Sequence, residues 1–354
     1  MAHGAAQKRA LERAARKARG KLIAWREAQA RLAHDLLALL AGDVRAELAA
    51  LADPFGRIPM HNLPIIRAYL QQRLDQFWTR WRQLLDDSLL QAAGIGSSLV
   101  GLTGSPNTAV RVSEGVMEYL RTWRAMDGLT LSDRLWRIKD GAERILQQAV
   151  EGAILRGESS YAAAQRYLLE DLPIPADLQS EIQAGGIGNI GRAVETLLLD
   201  ADGDVFYPVM RVLRTEINRA YTEAYVASIA LHPQVEGVRF NLSPAHPRPD
   251  ICDLYASANL HGLGPGVYPP GQHPYPAHPN TLSYLTTVFT DEVSDSDRAS
   301  RQDPFDWLQS QSQGMRAAVL GGEKKARAFD AGLLQPDELR QPWYRIEQRL
   351  GPQA

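Results

Sequence analysis

The 354-residue chain contains one cysteine, Cys252. A lone thiol excludes an intrachain disulfide framework and a four-cysteine zinc site, and it suits a reducing compartment. Long hydrophobic runs are also missing. Arg, Asp or Glu breaks every leucine-rich stretch before it reaches the roughly 18 apolar residues that a membrane span demands, so an integral membrane protein is not expected. The basic N-terminal segment is followed by neither an apolar run nor a small-residue cleavage site, so no secretory signal is expected either. Finally, the chain lacks a GKS/T phosphate loop, an HExxH metalloprotease motif and a Ser-His-Asp order. We therefore expect no enzyme.

What is present is ordinary in bulk. Hydrophobic residues make up 45% and charged residues 23%, which is typical of a globular protein with adequate cores. The net charge of −2 conceals a local excess: Lys8 to Arg31 holds nine basic residues against Glu12 and Glu27. Lys8, Arg9, Arg13, Arg16, Lys17, Arg19 and Lys21 are the candidate contacts for DNA or an acidic partner, and a solvated face of an Ala-rich helix is the plainer alternative.

Periodicity divides the chain. Residues 5–51 are rich in Ala, Leu, Arg and Glu, and Leu32, Leu36, Leu39 and Leu40 mark an apolar stripe. The spacing predicts a long helix interrupted near Gly42, ended by a turn at 53–56, with helix again over 63–93 around Phe77, Trp78 and Trp81. Gly94 to Asn107 reads as a flexible loop or hairpin, and 112–126 as helix. Ser132 is placed to cap a helix that Gly157 stops, with Ser159 or Ser160 capping the next, over 161–170, before Pro173-Ile174-Pro175. Gly186-Ile187-Gly188-Asn189-Ile190-Gly191 matches a dinucleotide fingerprint in letters, but no strand leads into it, so a flexible joint is expected there. Residues 209–230 form a strong helix. Val238 to Leu242 alternates at period two, which predicts a half-buried strand, and Tyr284 to Phe289 predicts a second that could pair with it. An amphipathic helix over 307–320, a short basic helix over 324–331 and a docked tail complete the reading. The class is α+β: a mainly helical N-terminal region, then mixed helix and a small antiparallel sheet with a Pro/His-rich loop. The segments expected are 1–128 and 129–190, both helical, then an α+β core at 191–335 and a tail at 336–354.

The densest chemistry lies between His246 and His278, where four of the eight histidines gather around Cys252. His246, Cys252, His273 and His278 can be arranged as two pairs of zinc ligands, with Asp250 a further donor. The expectation is nevertheless no cofactor, with zinc as the alternative. Cys252 as a nucleophile would need a histidine or a helix N-terminus to depress its pKa, which admits a hydrolase or a toxin-like transferase; a small buried apolar side chain is the plainer reading. Arg214 with Glu216 could grip a phosphate, or pair to orient a helix against the sheet.

Four ordered elements carry a resemblance. They are Arg214-Thr215-Glu216-Ile217-Asn218-Arg219-Ala220-Tyr221; Phe240-Asn241-Leu242-Ser243; His246, Arg248 and Asp250-Ile251-Cys252-Asp253; and Pro276-Ala277-His278-Pro279-Asn280 leading to Val288. As a set they resemble the phage Mu F-like minor head proteins, also called phage head morphogenesis proteins, over about residues 130 to 335. Thr281, Leu282 and Ser283 stand where many members carry cysteines. The resemblance implies structural roles for Arg214, Glu216, Asn218, Asp250, Cys252, His278 and Pro279. It further implies a low-copy assembly protein that binds portal or major capsid protein, with double-stranded DNA a further expected contact, in the host cytoplasm and then in the virion head. Capsid assembly, DNA packaging and DNA delivery are the processes concerned.

Overall fold

The computed structural model describes residues 2–53, 56–102, 105–124, 128–169, 173–279 and 281–351. Helices dominate: α1 (Ala2–Ala50), α2 (Leu63–Ser97), α3 (Pro106–Thr122), α4 (Leu131–Leu169), α5 (Ala176–Ala184), α6 (Ile187–Leu199) and α7 (Phe206–Ile229) precede the first strand. Then come β1 (Val235–Asn241), α8 (Ile251–Ser257), β2 (Val267–Tyr268), β3 (Tyr284–Phe289) and the short helices α9 (Asp295–Ala299), α10 (Pro304–Gln309), α11 (Gln313–Leu320), α12 (Glu323–Asp330) and α13 (Trp343–Leu350). The fold is α+β, mainly helical with a small antiparallel sheet, as the periodicity predicts.

The chain divides into two units, one of Met1–Trp25, Leu89–Leu131 and Arg214–Ala354, the other of Arg26–Ser88 and Ser132–Leu213. Helices α1, α2 and α7 contribute residues to both, so neither unit is a single stretch of chain.

In the second unit, α1 does not break at Gly42. One glycine costs a helix only about 1 kcal/mol, and Leu37, Leu40, Ala41, Val44 and Leu48 are buried around it. The buried stripe is rotated from the expected one: Ala33, Leu37 and Leu40 face inward while Leu32 and Leu39 are exposed. A run as leucine-rich as 36–40 satisfies more than one helical phase, and packing selects among them. On α2, Phe77, Trp78 and Trp81 are buried and meet edge to face, with ring centroids 5.1 and 5.5 Å apart. Helix α4 continues through Gly157, and Ser132, Ser159 and Ser160 lie inside it. Gly157 is needed instead for a close approach, since a Cβ there would sit 2.8 Å from the backbone of Gly185. Gly186 precedes α6 with a helix, α5, before it, and the glycine run lies within the second unit. That overturns the flexible joint and leaves the dinucleotide fingerprint without its strand. Of the turn at 53–56, residues 54 and 55 lie outside the described residues, as does the end of the helix expected over 161–170.

In the first unit, the expected loop at 94–107 is helical as far as it is described at its start: α2 runs to Ser97 and a 3-10 turn follows over Ser98–Leu102. Gly96 explains the misreading. A Cβ there would lie 2.5 Å from the Tyr221 carbonyl and 2.9 Å from Ala224, so this glycine lets α2 and α7 touch backbone to backbone. The sheet has the order β2-β1-β3, all antiparallel. Val238 opposes Thr287 and Phe240 opposes Leu285, while Val238 and Phe240 are buried and Arg239 is exposed. Tyr225 of α7 reaches the same strand through a 2.7 Å hydrogen bond to Thr287. Strand β2 is two residues long and has no periodicity to read. The helix expected over 307–320 is two, α10 and α11, separated at Ser310–Ser312, with Ser312 capping the second. The tail docks: Ile346 is buried and Arg349 pairs with Glu338 at 2.5 Å.

Candidate functional site

The site is assembled where α8 begins. Asp250 is its N-cap, with Oδ1 accepting from the Cys252 amide at 2.7 Å, and Asp253 closes a capping box by accepting the Asp250 amide at 2.8 Å. The second Asp250 oxygen is thereby turned outward from the helix end. Cys252 follows on the first turn with no exposed surface.

His278 arrives from the proline-rich segment after β2. Arg340 holds that segment by donating to the carbonyls of Pro276 and Ala277 at 2.9 and 3.1 Å. Its ring lies with Nδ1 2.9 Å from the Pro279 carbonyl, Nε2 3.3 Å from the Cys252 sulfur and 3.2 Å from Asp250 Oδ2. A carbonyl only accepts, so Nδ1 carries the proton of the first contact. Nε2 is then aimed at a thiol and a carboxylate together. Thr281 Oγ1 stands 3.7 Å from the same sulfur and is itself held by the Ser283 amide at 3.3 Å.

The other two expected metal ligands are elsewhere. His246 donates from Nε2 to Asp253 at 3.0 Å, so its imidazole braces the capping box. It belongs to a second acidic group with Asp250 and Asp253, and not to the cluster of Asp250, Cys252 and His278. His273 is buried beside Glu223, with 3.9 Å between Nε2 and the carboxylate. Burial pushes its pKa down to about 4 and pushes that of Glu223 up to about 7, the latter opposed by Arg219. The structure does not bring His246, Cys252, His273 and His278 together: Cys252 and His278 meet Asp250, while His246 and His273 have other partners. The proline-rich path separates His273 from His278 despite their five-residue spacing, and no periodic signal in the letters encodes such a path.

A groove of about 580 Å³ opens beside the cluster, lined by Asp250, His278, Glu323, Lys324, Arg327 and Arg340 among others. Cys252 does not line it. Burial, reinforced by the charge of Asp250 and opposed by Thr281 and Ser283, pushes the thiol up to about 12. It is protonated at neutral pH and shielded from the groove, the opposite of what a nucleophile requires. Lys325, at the groove's rear, is buried and donates to the carbonyls of Leu339 and Gln341 at 2.7 and 3.0 Å, pinning the tail.

Around the cluster, Asn259 was not singled out by any motif, yet it organises the loop. Buried, it donates to the carbonyls of Asp297 and Ser300 at 2.7 and 3.1 Å and accepts from Gly264 at 3.1 Å. The Arg214–Glu216 pairing is replaced: Glu216 is buried 3.6 Å from Arg219, whose guanidinium stacks 3.7 Å over Trp123, and Arg214 is exposed. Thr215, Glu216 and Asn218 are all buried, so this part of α7 serves packing. Of the seven candidate basic contacts at the start of α1, Lys8 is engaged by Asp291 and Glu292 at 3.1 and 2.9 Å, and Arg19 lies 3.1 Å over the Tyr284 ring. Arg9, Arg13, Arg16, Lys17 and Lys21 are exposed.

Comparison with known proteins adds no name. No family model matches the chain, and neither the curated proteins nor the solved structures give a match.

Proposed function

We propose that the protein is a non-enzymatic minor head component of a tailed phage or prophage, of the Mu F-like kind, that binds portal or major capsid protein in a low-copy assembly. The reading starts from the ordered sequence resemblance. One observation supports it most: the residues that carry the resemblance bind one another. Asp250 and Asp253 cap α8, His246 braces Asp253, and Cys252 is sealed beneath them. Polar groups that consume each other's hydrogen bonds hold a shape; they do not wait for a substrate. The hydrolase or transferase alternative is weakened by the protonated, buried thiol. Arg9, Arg13, Arg16, Lys17 and Lys21, all exposed on α1, give a surface suited to DNA or to an acidic partner. Among the described residues no helix is long and apolar enough to cross a membrane.

Tagged protein purified from its producing cells should carry portal or capsid protein at a fixed, low ratio, measured by mass spectrometry. A clean monomer from cells that are assembling heads would sink this reading. Salt-dependent retention on DNA, lost when Arg9, Arg13, Arg16, Lys17 and Lys21 are replaced by alanine, separates a DNA contact from a protein contact.

A further inference from the structure

We infer that Asp250, Cys252 and His278 form a zinc site, with the fourth position taken by water from the adjoining groove. This inference stands apart from the head-assembly reading, since a metal can brace this core whatever the protein binds.

The geometry points to it in three ways. First, the donor atoms are three different kinds and they converge: the sulfur, the ring nitrogen and one carboxylate oxygen all lie within 4.8 Å of one another. Tetrahedral zinc with bonds of about 2.3 Å to sulfur and 2.0–2.1 Å to nitrogen and oxygen would separate sulfur from nitrogen by about 3.5 Å and nitrogen from oxygen by about 3.4 Å. The distances here are 3.3 and 3.2 Å.

Second, each donor is oriented by a contact that leaves the ligating atom free. His278 Nδ1–H is spent on the Pro279 carbonyl, the arrangement that directs Nε2 of a metal-bound histidine. Asp250 spends Oδ1 on the Cys252 amide and keeps Oδ2 for the cluster. Thr281 Oγ1 is positioned to donate to a thiolate sulfur.

Third, the ring nitrogen that faces the sulfur at 3.3 Å also faces a carboxylate oxygen at 3.2 Å, so a single cation between them would meet all three donors. Soft sulfur with imidazole and one carboxylate selects zinc over magnesium or calcium. On binding, the Cys252 thiol loses its proton to solvent and the sulfur takes the metal; no oxidant is involved.

The full chain, purified without chelator, should hold one zinc per molecule by elemental analysis. Cobalt added to the stripped protein should give the visible bands of a tetrahedral centre and a near-ultraviolet thiolate charge-transfer band. Cys252→Ser should abolish the charge-transfer band. Asp250→Asn retains an N-cap, and His278→Gln changes a side chain at the groove, so both should fold by circular dichroism yet lose zinc affinity by more than the roughly 10–100-fold that outer-shell changes cost. His246→Gln and His273→Gln should keep the metal and the cobalt spectrum. Folded wild-type protein that shows no stoichiometric zinc and no thiolate–cobalt band, or variants at Asp250 and His278 that bind as wild type, would overturn the assignment in favour of a protonated His278–Asp250 ion pair.

Discussion

The helical array around Phe77, Trp78 and Trp81 and the loop-rich core between His246 and Gln302 are held by different forces. The first is apolar area and interlocking rings. The second is a set of directed polar contacts, in which Asp250, Asp253, Asn259 and Arg340 bind backbone groups and His246 holds the Asp253 carboxylate. Apolar packing tolerates exchange of one side chain for another of similar volume, whereas a hydrogen bond to a particular carbonyl does not. The candidate site lies in the second region, where directed contacts hold Cys252 and His278 3.3 Å apart.

The contrast can be broken from either side. Trp81→Ala removes a side chain with no exposed surface and should cost about 3–5 kcal/mol, read from chemical denaturation of the full chain. Trp81→Phe should recover much of that loss; if the two variants are equally damaging, the array is not held by packing volume. In the loop core, Asn259→Ala should cost about 2 kcal/mol by removing the buried donor to the Asp297 and Ser300 carbonyls and the acceptor of the Gly264 amide, and Asn259→Asp should fail to rescue because a carboxylate cannot donate to the carbonyls. Rescue by aspartate would mean that shape, not donation, matters at this position.

The His273–Glu223 pair sharpens the comparison through pH. His273 has a depressed pKa of about 4, so its contribution is present above its ordinary value of 6.5 and is lost as the pH falls toward 4. Glu223 has a raised pKa of about 7, so its contribution is present below its ordinary value of 4.5 and is lost as the pH rises through 7. The two slopes oppose each other between about pH 4.5 and 6.5, the window between the ordinary values. Melting temperature should therefore vary little across that window in the wild type, rise on acidification in His273→Gln and fall on acidification in Glu223→Gln. Parallel profiles for the two variants would refute the opposition. The smallest effect is expected at Lys8→Ala: its partners Asp291 and Glu292 are exposed, and the loss should stay below about 1 kcal/mol and shrink further in salt.

Much of the architecture was legible before any coordinates. Residues 284–289 and 238–241 alternate or carry β-branched side chains, and both are strands. Helices 63–93 and 209–230 were legible from their periodicity, with ends shifted by a few residues. Glycine misleads most. Because glycine weakens a helix, Gly42, Gly96 and Gly157 suggest interruptions, yet all three lie within helices, and at Gly96 and Gly157 the missing side chain admits a neighbouring backbone. Local propensity and tertiary contact pull in opposite directions at such positions, and about 1 kcal/mol of propensity is readily overcome. The candidate site was legible as a neighbourhood but not as a set. His246, His273 and His278 are equivalent as letters; one braces a capping box, one is buried against a carboxylate, and one meets the cysteine.

By itself, then, the sequence determined the helical bias, the change to strand near residue 238, the single thiol and the crowding of histidine and proline around it. These follow from periodicity and composition, which act through neighbours a few residues away. Which histidine faces Cys252, which phase of the leucine-rich α1 is buried, and which glycines admit a neighbour were decided only by the tertiary structure. Each depends on where distant backbone passes, and the free energy that chooses among those paths is a sum over packing and buried hydrogen bonds that no single stretch of chain contains.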